Sequence, residues 1–82
     1  MIIRHPYVTE KATAVSDERN AIQFIVDIRA TKPQIKREIE QLYGVQVAKV
    51  TTLIAPNGKK KATVKLGPAD SAEELASRLG VF

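Results

Sequence analysis

Residues 45–66 read Val45-Gln46-Val47-Ala48-Lys49-Val50-Thr51-Thr52-Leu53-Ile54-Ala55-Pro56-Asn57-Gly58-Lys59-Lys60-Lys61-Ala62-Thr63-Val64-Lys65-Leu66, and they decide the fold. Val45 to Ile54 is rich in valine and threonine, β-branched residues that suit a strand. Pro56-Asn57-Gly58 supplies a turn, because Asn and Gly accept the positive φ that a tight hairpin demands. On the return, Lys60, Ala62, Val64 and Leu66 alternate with Lys59, Lys61, Thr63 and Lys65. A period of two predicts a strand with Ala62, Val64 and Leu66 inward and Lys59, Lys61 and Lys65 toward solvent. Gly67-Pro68 breaks it.

Upstream, Ala21 to Ile28 alternates as a half-buried strand, with Ile22, Phe24, Val26 and Ile28 on one face and Gln23 and Asp27 on the other. Ile25 on the second face hints at cover there too. Thr31 followed by Gln34 is a capping-box pattern, and Pro33 in the first turn forfeits no hydrogen bond. Ile35, Ile39, Leu42 and Tyr43 recur at helical spacing until Gly44. Toward the start, Ile2-Ile3 suggests a short edge strand stopped by Pro6. Thr9 then reads as an N-cap for a short helix ending near Asp17. At the other end, Asp70 and Glu73 open a last helix whose stripe is Ala72, Leu75, Ala76 and Leu79, ending at Gly80. The expected order is β-α-β-α-β-β-α. It forms a single small domain over 1–82 of the α+β class, with one mixed, mainly antiparallel sheet and helices packed on it.

The 82 residues have room for one domain with a thin core, and none for a large ligand cavity. Cysteine is absent, which excludes disulfides and thiolate metal sites, and His5 alone cannot build a zinc site. No metal, no cofactor and no small-molecule substrate are expected. No run approaches the ~20 apolar residues of a membrane span, and the start lacks a signal-peptide pattern, so the expectation is a cytoplasmic protein without membrane insertion.

Net charge is +4, and its distribution is uneven. Residues 29–66 hold nine basic side chains against two acidic ones, a net of +7, while both flanks are slightly negative. Such focusing is an electrostatic footprint for a polyanion. Lys59, Lys61 and Lys65 would lie at ~6.5 Å intervals along a strand, close to the spacing of backbone phosphates. The competing explanation is that lysines on an edge strand discourage aggregation. Lys32, Lys36 and Arg37 sit near the start of the central helix, where backbone N–H groups favour phosphate, although Lys36 and Glu40 are also spaced as a helix-surface ion pair. Aromatic content of 5% leaves no stacking platform for single-stranded RNA, so structured RNA read by shape and phosphate fits better. Catalysis finds little support. Glu73-Glu74 and Glu38/Glu40 diverge, and Glu10, Lys11 and His5 lack a nucleophile, metal or glycine-rich loop.

His5-Pro6-Tyr7-Val8-Thr9-Glu10-Lys11 resembles the opening motif of the ribosomal protein L twenty-three family. Phe24-Ile25-Val26-Asp27, Ala30-Thr31-Lys32 and Ile35-Lys36 look like its next blocks. Val47-Ala48-Lys49-Val50-Thr51-Thr52 is similar to its following strand, and Gly58-Lys59-Lys60-Lys61-Ala62 with Val64 and Leu66 matches its basic signature. The ending Ala76-Ser77-Arg78-Leu79-Gly80-Val81-Phe82 looks like the archaeal form. The resemblance runs from Ile3 to the last residue, and its specificity lies in the order and spacing of the blocks.

The resemblance implies a structural, non-enzymatic protein of the large ribosomal subunit that binds ribosomal RNA at the exit of the nascent-peptide tunnel. Its implied neighbours are other tunnel-exit ribosomal proteins, and its implied visitors are the signal recognition particle, the protein-conducting channel or a nascent-chain chaperone. By position, Lys32, Lys36, Lys49, Thr52, Lys59, Lys60 and Lys61 take the RNA-contact role, Lys65 continues the basic strand, and His5, Thr9 and Lys11 are further candidates. Glu10 matches the acidic residue presented to docking factors. The family's long tunnel-reaching loop in bacteria is replaced here by Pro56-Asn57-Gly58, and Thr51 stands where the family often has Asn. The alternative function is a small ferredoxin-like regulatory or protein-interaction domain whose basic strand only protects an edge.

Overall fold

The Pro56-Asn57-Gly58 turn closes as the sequence predicts. Gly58 takes φ 82° and its N–H donates to the Ala55 carbonyl at 2.9 Å. Asn57 contributes its side chain instead of a positive φ, its Oδ1 accepting the Lys59 N–H at 3.0 Å. The computed structural model describes residues 7–79, and of residues 9–11 the backbone only. Its elements are β1 (Val8–Ser16), β2 (Ala21–Val26), α1 (Lys32–Tyr43), β3 (Val47–Ile54), β4 (Lys60–Leu66) and α2 (Ala72–Leu79). The strands form one sheet in the order β1-β2-β4-β3, and every pairing is antiparallel. β2 and β3 both flank β4, and α1 carries the chain between them, which is a split β-α-β connection.

Three expectations need correction. Residues 8–16 form a strand, not a capped helix. Glu10, Lys11 and Ala12 favour a helix locally, but the outer edge of β2 would otherwise leave its main-chain groups unpaired, and the β-branched Val8, Thr9, Thr13 and Val15 suit the pleat. The last helix is capped by Ser71, whose Oγ accepts the Glu74 N–H at 3.2 Å; Asp70 turns away and accepts the Gln46 N–H at 2.9 Å. The expected Ile2-Ile3 strand and the Gly80 stop lie outside the described residues. Ile28, expected inward, lies beyond the end of β2 in a turn closed by Ala30 N–H to Asp27 O at 2.9 Å, and it is exposed.

α1 starts on the capping box read from the sequence: Thr31 N–H donates to Gln34 Oε1 at 2.9 Å, and Gln34 N–H to Thr31 Oγ1 at 3.4 Å. It stops at Gly44, in the left-handed region with φ 67°. Ile35 and Ile39 from α1, and Ala72 and Leu75 from α2, join Ile22, Phe24, Val26, Ala62, Val64 and Leu66 in one buried cluster. Burying each large apolar side chain contributes about 1.5–3 kcal/mol, so this face of the sheet is committed to the helices. On the opposite face Ala21 and Ile25 are buried, while Lys49, Thr51 and Lys65 are exposed.

Asn20 ties the two halves together. It adopts φ 51°, a conformation that Asn tolerates better than other residues with a Cβ. Its Nδ2 donates to Asp70 O at 2.8 Å, and its Oδ1 accepts the Ala72 N–H at 2.8 Å, at the first turn of α2. Asn20→Ala is expected to cost about 2 kcal/mol in urea unfolding, from an orphaned helix donor and a disfavoured φ. Asn20→Gly should recover part of that loss. Equal stability of Asn20→Ala and wild type would contradict the clip.

Candidate nucleic-acid interface

The alternation in β4 and the register of its neighbours put specific side chains on the open face. Lys49 stands opposite Lys65, Thr51 opposite Thr63 and Leu53 opposite Lys61; across the other side of β4, Ala21, Gln23 and Ile25 face Lys65, Thr63 and Lys61. Arg19, Ala21, Lys49, Thr51, Thr63 and Lys65 line one shallow depression of about 350 Å³. No carboxylate of the described residues pairs with Arg19, Lys49, Lys61 or Lys65. Like charges set directly opposite on a sheet destabilise it. The Lys49–Lys65 juxtaposition is therefore a cost that an anion would offset.

Strand order bears on one of the two explanations of the basic strand. β4 is hydrogen-bonded on both sides, to β2 and to β3. An interior strand has no edge to guard, so edge protection by Lys61 and Lys65 is overturned. The expected Lys36–Glu40 pair is also not formed: Glu40 Oε2 accepts the Val47 N–H at 3.1 Å, which ties the end of α1 to the start of β3.

The acids on α1 serve the main chain. Glu38 is 5% exposed, the buried charged residue of the described core. One of its oxygens accepts the Tyr7 N–H at 3.3 Å and the other accepts the Val8 N–H. Gln34 Nε2 donates to the Tyr7 hydroxyl at 3.1 Å, and Tyr7 O accepts the Asp27 N–H at 2.8 Å. α1 thus grips the residues that lead into Thr9-Glu10-Lys11. Tyr43, stacked on Phe24 with ring centroids 5.8 Å apart, has its phenol pKa raised by burial and, secondarily, by the Glu38 carboxylate. Among the described residues no group of three or more His, Cys, Asp or Glu is placed to hold a metal ion, and no helix is long and apolar enough to cross a membrane.

A sequence profile of the family described as ribosomal protein L23 matches residues 1–72. The chain belongs to the ribosomal protein L23 family. Relatives include the large ribosomal subunit protein uL23 of Halobacterium salinarum, 53% identical over 99% of this chain and 96% of the relative. The protein of the same name from Haloquadratum walsbyi is 49% identical over the same shares. As an L23-family member the chain is a ribosomal protein, not an enzyme, and works in the cytoplasm where ribosomes are.

Within this L23-family fold, the residues expected to contact RNA do not form one patch. Lys49, Lys61 and Lys65 are brought together on the open face. Lys59 is exposed at the turn, while Lys60 points to the helix side and donates from Nζ to Ala30 O at 2.7 Å. Thr52 is half-buried on that same side, opposite Ala62. Lys32, Lys36 and Arg37 are exposed on α1, in the layer behind the sheet. Thr9, Glu10 and Lys11 run along β1, but their side chains lie outside the described residues, as does His5. Arg19 and Thr63 join the open face without having been singled out. The alternation already placed Thr63 beside the lysines, whereas Arg19 depends on the β1–β2 turn.

Proposed function

We propose that this ribosomal protein is a structural constituent of the large ribosomal subunit that binds ribosomal RNA at the exit of the nascent-peptide tunnel. The observation that carries the RNA contact is the set of cations Lys49, Lys61, Lys65 and Arg19, without a carboxylate partner among the described residues, on the face of the sheet away from the helices. An RNA backbone would neutralise them and release counterions, giving affinity without base readout. The names of the two relatives support the large subunit as the site of assembly. Lys32, Lys36 and Lys59 offer further phosphate contacts from other directions, and His5, Thr9 and Lys11 are kept as candidates by their place in the opening motif.

In the same proposal Glu10 offers a docking point to a targeting particle, the protein-conducting channel or a chaperone, beside neighbouring tunnel-exit proteins. The ferredoxin-like alternative loses its support, a basic edge strand, because β4 is not an edge. Co-sedimentation with large subunits through high salt tests the proposal. Glu10→Ala should remain on the subunit and lose affinity for a docking factor. A variant that binds the factor normally refutes the docking role, and wild-type protein absent from washed subunits refutes the assembly role.

A further inference from the structure

The open face has a middle as well as a rim. Thr51 and Thr63 face each other across β3 and β4, with Gln23 next to Thr63 on β2. This uncharged row lies between the Lys49–Lys65 row on one side and Lys61 on the other. Lys61 and Lys65 are four positions apart along β4, about 13 Å at the rise of a strand, and Thr63 is midway. Neither threonine hydroxyl has a side-chain partner among the described residues, and Thr13 Oγ1 donates to Gln23 through its Oε1 at 3.3 Å or its main-chain O at 3.4 Å, leaving the Gln23 amide nitrogen without a partner among them.

Cations flanking a strip of hydroxyl and amide groups match one nucleic-acid surface well. The minor groove of an A-form helix is wide and shallow, lined with ribose 2′-hydroxyls and bordered by phosphates on both sides. Single strands are instead gripped by stacking bases on aromatic rings. Among the described residues this face offers none: Phe24 lies in the core, with Tyr7 and Tyr43 packed against it. DNA lacks the 2′-hydroxyl altogether.

Resting on the RNA-binding proposal above, we infer that the Thr51–Thr63 pair reads ribose 2′-hydroxyls in the minor groove of double-stranded RNA, making this face selective for RNA duplex over DNA duplex and over single strands. The lysines supply the affinity. The threonines supply the choice of sugar.

The test compares the full chain with Thr51→Val/Thr63→Val and Thr51→Ser/Thr63→Ser, using an RNA duplex of about 16 base pairs, the DNA duplex of the same sequence and the single RNA strand. Valine keeps the shape and β preference of threonine, and serine keeps the hydroxyl. Removing either hydroxyl should weaken RNA-duplex binding about threefold to tenfold. The double valine variant should lose most of the preference for RNA duplex, with DNA affinity and salt dependence unchanged, and the serine variant should retain it. Undiminished RNA selectivity in the valine variant overturns the inference while leaving RNA binding intact, as does a wild type that prefers single strands. No salt-dependent binding by any duplex would overturn the RNA-binding proposal itself.

Discussion

Replacing Lys49, Lys61 and Lys65 together with glutamine is expected to flatten the salt dependence of RNA binding by about two to three units of slope. Each phosphate bound contributes nearly one unit to the slope of log affinity against log salt, so roughly four to six of them give a wild-type slope of about −3 to −5. These three lysines lack carboxylate partners among the described residues and share the open face, so replacing them removes positive charge without exposing a buried acid. The fold should survive, since exposed substitutions usually shift stability by about 0.5 kcal/mol or less. Removing the Lys49–Lys65 opposition should even favour the sheet slightly. Lys60→Gln is the matched control: its Nζ is held by Ala30 O at 2.7 Å on the helix side, so it should lower stability by about 1 kcal/mol and leave the slope alone. Filter binding of the three proteins to a large-subunit RNA fragment across a salt series decides it. Identical slopes for the triple variant and wild type would remove the open face from the RNA interface.

How far the sequence reaches depends on how local each determinant is. The hairpin from Val47 to Leu66 was legible because its alternation and its turn residues are contiguous, and α1 was legible because Thr31, Gln34 and Gly44 mark its ends. β1 was not, since Glu10, Lys11 and Ala12 favour a helix and only the distant edge of β2 overrides them. The same limit hid the interior place of β4. That place follows from Ala21↔Lys65 and its companions, pairs far apart along the chain, and it alone removes the edge-protection explanation. Family resemblance pointed to Thr52 and to a run of three lysines. Register then set Thr52 and Lys60 on the helix side and Thr51 and Lys61 on the open one. A slip of one position reverses such an assignment, so face membership cannot be settled by a motif match.

Glu38→Ala is expected to destabilise the protein by about 3 kcal/mol, the largest effect of any polar substitution on α1. The Glu38 carboxylate accepts the N–H groups of Tyr7 and Val8 at a site where the residue is 5% exposed. Hydrogen bonds to a charged group contribute about 1.5–3 kcal/mol each, and the regained hydration of the removed charge offsets part of their sum. Glu38→Gln keeps one acceptor oxygen but turns an amide toward a main-chain N–H, so it should fall between alanine and wild type. Hydrogen exchange should report the loss locally, with the Tyr7 and Val8 amides losing protection before those of β2. The Tyr43 phenol gives a second readout, because its pKa lies above the ordinary value of 10.0 through burial first and the Glu38 charge second. In Glu38→Gln the phenol should titrate at lower pH than in wild type while remaining above that ordinary value, since burial persists. The consequence for docking follows from position: Thr9-Glu10-Lys11 begins immediately after the two residues that α1 holds. A factor that binds through Glu10 should therefore bind Glu38→Gln more weakly, although Glu38 itself is buried. Full protection of Tyr7 and Val8 in Glu38→Ala, with stability within about 0.5 kcal/mol of wild type, would show that the carboxylate anchors nothing.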